Sequence, residues 1–231
     1  MFGDKLKLWF RGSRPNEQAV QPSGSRGAVS LRSVGGQETV ATRNSRGLEQ
    51  FFGNIRGQSG LTILDLGGVS QQNVSFITNL GHRLYSEDFL QILHEIFGVD
   101  DTTDQSNPGR IEYFLRNALE YPEQHFDGVL VWDVLEYLEP TLLAATVERL
   151  QKIVRPTSYM LAFFHSDDKL EAVPYYTFRI QDVSTLRVAQ RGARRPAQLF
   201  NNRSLEKLFQ SFGSVKFFLT REQLREVIVK V

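Results

Sequence analysis

The amino-acid sequence predicts an α/β domain built on a mostly parallel sheet that finishes in a C-terminal antiparallel hairpin. The runs Thr62–Leu66 and Phe126–Asp133 are apolar on both faces, as strands covered on both sides are. Segments with helical periodicity separate these runs, which implies right-handed crossovers between parallel neighbours. The last two apolar runs, Val215–Leu219 and Val227–Val229, are joined only by Thr220–Glu226. A parallel return needs about a dozen residues or more, so these two must be antiparallel. Seven strands are expected in all.

Leu48, Phe51, Phe52 and Ile55 recur at helical spacing before the breakers Gly57 and Gly60, so order is expected to begin near Leu48. The first strand, Thr62–Leu66, ends at Gly67-Gly68. A helix marked by Val74, Ile77 and Leu80 follows and closes at Gly81. The second strand is Arg83–Tyr85, ending at Ser86-Glu87-Asp88, with a helix behind it carrying Phe89, Leu93, Ile96 and Phe97. Between Ile111 and Tyr121 periodicity fits a helix or a short third strand equally. After the strand at Phe126–Asp133, Pro140 opens a helix with Leu143, Val147, Leu150 and Val154 on one face, and Pro156 stops it. Tyr159–Phe164 is the next buried strand. A loop-rich segment to Asn202, a helix from Ser204 to Phe212 and the final hairpin complete the chain.

With 231 residues and 41% hydrophobic content, the chain supports one such domain and a tail. Residues 11 to 50 hold no aromatic and few apolar side chains, too little to offset the entropy of ordering. The reading is therefore a disordered basic tail over residues 1–46 and a domain over 47–231. The first 60 residues hold nine Lys or Arg against four Asp or Glu. A solvated tail is the expectation, and nucleic acid is disfavoured as a partner. The opening Leu6, Leu8, Trp9 and Phe10, with Lys5 and Lys7, could dock on the domain, a partner or a membrane surface. The absence of cysteine excludes disulfides, thiolate metal ligands and thiol nucleophiles. His82, His94, His125 and His165 lack the spacing of a ligand pair, so no metal is expected. No apolar stretch is long enough to span a bilayer, and the start lacks a signal-peptide pattern, which points to a cytoplasmic protein.

Several segments, in order, resemble the class I S-adenosylmethionine-dependent methyltransferases, whose sheet is Rossmann-like. Thr62-Ile63-Leu64-Asp65-Leu66-Gly67 resembles the family's first motif, and Gly81 to Asp88 its second strand with an acidic end. Asn117 to Pro122 resembles the exit of the third strand, and Trp132-Asp133-Val134-Leu135-Glu136-Tyr137-Leu138 the stretch after the fourth. The resemblance covers about Leu48 to Val231. It implies S-adenosylmethionine as cofactor, methyl transfer to a small-molecule acceptor, and a cofactor site drawn from Asp65, Gly67, Gly68, Glu87, Asp88, Asn117 and Asp133.

The chemistry fits those residue types. A glycine turn lets backbone amides and the next helix N-terminus approach a ligand. A carboxylate about 20 residues on suits two ribose hydroxyls. Counting from Gly81, the resemblance favours Asp88 for that role with Glu87 as the rival, and either could instead cap the next helix; Asn117, where the family has an acid for the adenine amino group, could equally be a plain loop residue. The first motif departs from the family by reading Gly67-Gly68-Val69-Ser70-Gln71, with Val69 and Gln71 in place of glycines; Pro156-Thr157-Ser158 replaces the family's Pro-Gly-Gly. Asp133, Tyr137 and His165 are the candidates for a base, since strand exits face the pocket in such sheets, although a base is optional when the leaving group is a sulfonium. Segment 169–202, with Tyr175, Tyr176, Phe178, Arg179, Arg187, Arg191, Arg194 and Arg195, is either a cover for an anionic or aromatic acceptor or a solvated hairpin. A degenerate methyltransferase fold serving as a binding or scaffolding module is the alternative function. A nicotinamide-dependent dehydrogenase ranks third because of the terminal hairpin.

Overall fold

The computed structural model describes residues 40–98, 104–166, 171–220 and 224–231. The tail assigned to residues 1–46 lies outside the described residues up to position 39. From Val40 the chain is ordered: Val40–Asn44 forms β1, earlier than its composition suggests. It does so by pairing with a strand nearly 150 residues away, a contact no local pattern signals.

Ser45 caps α1 (Arg46–Asn54), its hydroxyl accepting from Leu48 N, and Leu48, Phe51 and Phe52 are buried. There follow β2 (Thr62–Asp65), α2 (Gln71–Asn79) capped by Ser70, β3 (Arg83–Ser86) and α3 (Phe89–Phe97). The ambiguous 111–121 segment resolves as helix: Asn107 caps α4 (Pro108–Ala118), with proline in its first turn. Next come β4 (Phe126–Trp132), a 3₁₀ turn (Val134–Tyr137), α5 (Pro140–Ile153) and β5 (Val154–His165).

The segment read as loop-rich is instead a second sheet, in which β6 (Val173–Ile180) and β7 (Thr185–Arg194) pair antiparallel and β1 joins the outer edge of β7. It is no solvated hairpin: Phe178, Ile180, Leu186 and Val188 are buried against the domain. Helix α6 (Asn202–Leu208) precedes β8 (Ser214–Leu219) and β9 (Leu224–Lys230).

The main sheet runs β3-β2-β4-β5-β9-β8, parallel through β5 and then antiparallel at both β5–β9 and β9–β8. The terminal hairpin is therefore as expected, but the described residues give this sheet six strands, because α4 takes up the residues that would have supplied a seventh. Both faces are covered, which explains the continuous apolar runs. On β4, Val129 and Val131 enter one cluster with α3, α4 and α5, while Leu130 and Trp132 enter the other with α1 and the β6–β7 sheet. Pro156 does not block β5, since α5 ends first; Thr157 takes φ +70° at a register shift between β4 and β5. Among the described residues no helix is long and apolar enough to cross a membrane.

Candidate functional site

The carboxyl ends of β2, β3 and β4 converge on the Gly67-Gly68 turn. Asp65 closes β2 and is fully buried. Its Oδ1 accepts from Gly67 N at 2.9 Å and from Trp132 Nε1 at 2.6 Å, and its Oδ2 accepts from Asn73 Nδ2 at 2.9 Å. Burial pushes the Asp65 carboxyl above its ordinary value, with these three hydrogen bonds opposing. Asn73, on the first turn of α2, also donates to Phe178 O and accepts from Ile180 N, which ties the β6–β7 sheet to the turn.

Trp132 adopts φ +58°, a strained conformation for so large a residue, and its indole lies on Gly67. A Cβ built on Gly67 would fall 2.8 Å from Trp132 Cδ1. Phe178 stacks on the indole at 5.0 Å and 6° between planes, and Phe163 packs edge-on against both rings.

The other expected cofactor residues are also engaged within the chain. Gly68 takes φ +82° and donates to Glu87 O at 3.0 Å. Asp88 caps α3, its Oδ1 accepting from Gln91 N at 3.0 Å. The Glu87 carboxylate accepts from Tyr121 OH; burial first, and then that bond, raise the Tyr121 pKa. Asn117 sits near the end of α4 and donates back to Tyr113 O at 2.7 Å, so it is a helix residue and not a strand exit. Asp65, Gly67, Gly68, Glu87 and Asp88 are thus brought together, with Asp65–Gly67 and Gly68–Glu87 hydrogen bonds and a Gly67–Asp88 bridge. Val69 points into solvent at 83% exposure.

Asp133 belongs to a second cluster, at the exits of β4 and β5. Glu136, fully buried, accepts from His165 N through Oε1 at 2.6 Å and meets His165 Nδ1 through Oε2 at 2.6 Å. Asp133 is pushed up to about 7, mainly by burial and then by Glu136, with His165 opposing. Burial, then Asp133 and Glu136, likewise raise Tyr137. Asp133 Oδ2, Tyr137 Oη and His165 Nε2 are buried without a hydrogen-bond partner. Arg194 from β7 lies over the rings of Tyr137 and Tyr175 at 5.3 and 4.9 Å. All three base candidates therefore meet in one place, with the imidazole oriented by a carboxylate.

The sequence alone gives Trp132, Asn73 and Glu136 no role, and it places Phe178 only among the residues of an acceptor cover. A tryptophan directly before Asp133 and a charged Glu136 inside an apolar run were the available signals. Nothing local marked Asn73, whose hydrogen bonds to Phe178 O and Ile180 N span more than 100 residues.

Fold and site together define a Rossmann-like α/β domain with a glycine turn at the switch between its central strands. The family model described as "Methyltransferase domain" matches residues 37–215, and the chain belongs to that family. It is an S-adenosylmethionine-dependent methyltransferase domain by descent. A comparison with curated proteins found no match. Among solved structures, the chain is similar to 1,6-didemethyltoxoflavin-N1-methyltransferase from Burkholderia thailandensis, solved with 1,6-didemethyltoxoflavin and S-adenosylhomocysteine. Identity is 12%, coverage 80% of this chain and 76% of that one, and the TM-score 0.45. A SAM-dependent methyltransferase from Archaeoglobus fulgidus gives 15% identity, 80% and 91% coverage, and a TM-score of 0.47.

The family implies S-adenosylmethionine. At the turn itself the fit is poor, because the Asp65 carboxylate accepts three internal hydrogen bonds and an indole covers the side of Gly67 that a side chain would occupy. Glu87 and the exposed Asp88 each spend one carboxylate oxygen within the chain, on Tyr121 and on the cap of α3.

Proposed function

We propose that this methyltransferase domain serves as a non-catalytic binding or scaffolding module. The observation that carries the reading is the Trp132 indole, hydrogen-bonded to Asp65, stacked under Phe178 and laid on Gly67 where a cofactor would approach the turn. Val69 and Gln71 in place of glycines point the same way. Calorimetric titration with S-adenosylmethionine, S-adenosylhomocysteine and NAD tests it, and no binding of any of the three is the expected outcome. Binding of the first two in the micromolar range overturns the reading, and binding of NAD alone favours a dehydrogenase.

One observation favours a second reading, methyl transfer to a small-molecule acceptor. The Glu136–His165 pair leaves Nε2 free to take a proton from a hydroxyl or amine. Under that reading Trp132 and Phe178 must separate from the turn before any cofactor enters, and the same titration, repeated with Trp132→Ala, distinguishes the two.

A further inference from the structure

The sheet formed by β1, β7 and β6 turns one face to the domain, where Phe178, Ile180, Leu186 and Val188 are buried. The register fixes what stands on the other face. Arg179 lies directly opposite Arg187, Thr42 of β1 flanks Arg187, and Thr177 lies opposite Ala189. Arg191 is the extra residue at the bulge in β7, and its Nε donates to Thr177 Oγ1 at 3.2 Å, which holds a third guanidinium on this face. Arg187 and Arg191 are exposed, and Arg179 is half-buried.

Like charges directly opposite each other in an antiparallel pair oppose folding. The sheet itself offers Arg179 and Arg187 no counter-charge. Its three strands carry five arginines, Arg43, Arg179, Arg187, Arg191 and Arg194, and no lysine, aspartate or glutamate. Asp182, in the turn joining β6 to β7, accepts from Ser184 N and Ser184 Oγ. Among the described residues, neither Arg179 nor Arg187 forms an ion pair. An anion seated between the guanidiniums turns this repulsion into charge-assisted hydrogen bonds. Composition disfavours nucleic acid for a chain of formal net charge +1, but the fold gathers basic charge on one face.

The make-up of the face selects the anion. Among the described residues, Val40, 42% exposed, is its one exposed large apolar side chain, so it lacks the anchors of a protein interface or a membrane-bound surface. Arginine, with its planar fork, suits phosphate. Thr177 lies two residues from Arg179, about 7 Å along the strand. The Arg179–Arg187 pair and Arg191 are therefore separated much as successive phosphates are in an extended strand.

We propose that this face binds the phosphate backbone of a single-stranded nucleic acid, with the Arg179–Arg187 pair on one phosphate and Arg191 on the next. A flexible strand can meet both points, and no described element projects from the face to enter a duplex groove. The face is turned away from the Trp132–Phe178 stack, so the proposal stands whether or not the Gly67 turn takes a cofactor.

The full-length chain would be titrated into a fluorescein-labelled oligouridylate of about 12 nucleotides, followed by anisotropy over a range of salt concentrations. A dissociation constant on the order of 1–100 μM is expected. Arg179→Gln, Arg187→Gln and Arg191→Gln together should weaken binding at least about tenfold and reduce the slope of log K against log salt by about 2, since each single-strand contact contributes about 0.7. Arg83→Gln, Arg110→Gln and Arg203→Gln together remove the same charge from exposed positions elsewhere and should change both far less. Arg187→Gln alone relieves the repulsion from Arg179, so it should cost one contact's slope without lowering the melting temperature. Wild-type binding weaker than about 1 mM overturns the proposal. So do equal effects of the two triple variants, or unchanged binding in the first, which would assign the binding to another basic region. Tighter binding of poly-glutamate, of phosphatidylserine vesicles or of a duplex also overturns it, in favour of that partner.

Discussion

Trp132 Nε1 donates to Asp65 Oδ1 across 2.6 Å, which joins the end of β4 to the end of β2 through side chains that are both buried. Truncation by Trp132→Ala removes the indole from between Gly67 and Phe178 and strips the carboxylate of its shortest partner. The expected cost is about 3–5 kcal/mol, the range for deleting a buried aromatic. Urea unfolding measures it. A loss under about 1 kcal/mol would mean that the stack does not hold the turn closed.

Asp133 predicts a pH dependence with a definite sign. Its folded pKa, about 7, lies above the ordinary 3.8, so folding favours the protonated form. That contribution is complete below the unfolded value and is lost as pH rises from about 4 to about 7. Asp133→Asn, which cannot ionise, should gain on the order of 2–4 kcal/mol over the wild type at about pH 8 and close to nothing at about pH 4. Unfolding curves at the two pH values check this. An equal effect at both would show that burial of the charge is not the cause.

Thr157 has φ +70° at the register shift between β4 and β5, and its amide donates to Val231 O at 2.7 Å. Glycine adopts this conformation without the Cβ clash and leaves the amide in place. Thr157→Gly should stabilise the protein by about 0.5–1 kcal/mol, the conformational relief less the entropy that glycine loses on folding. A melting curve suffices, and destabilisation would mean that the threonine side chain makes a contact worth more than the strain.

Two truncations separate the tail from the domain. Removal of residues 1–36 should leave the melting temperature nearly unchanged. Removal of 1–46 also deletes β1, which pairs with β7 over five residues, and the Ser45 cap of α1. Loss of that cap alone costs about 1 kcal/mol, so the shorter chain should melt several degrees lower. Equal melting temperatures for the two would place the domain boundary after β1.

Much of the fold was legible because its signals are local. Continuous apolar runs at Thr62–Leu66 and Phe126–Asp133 report strands buried on both faces, and the short link after Leu219 leaves an antiparallel hairpin as the sole geometry. The glycine turn and the acidic end of the second strand were also readable, and Gly67 and Asp88 do meet. The segment 173–194 was missed as structure because Arg187, Gln190 and Arg191 face outward from a strand whose inner face is half hidden by a bulge. β1 was missed because an edge strand of Val40-Ala41-Thr42-Arg43-Asn44 has little apolar content of its own.

By itself, the sequence determined the antiparallel finish, the family and the order of the elements other than β1, α4, β6 and β7, because these depend on periodicity and on links too short to permit alternatives. The tertiary structure decided which partners the acids at the strand ends take. A carboxylate at the end of a strand can serve a ligand or a neighbour. Here Trp132, Asn73 and Gly67 reach Asp65, Tyr121 reaches Glu87, and the amide of Gln91 reaches Asp88. A buried carboxylate such as Asp65 must find partners that spare it desolvation, and which partners lie within reach is a property of the packed chain rather than of its residue types.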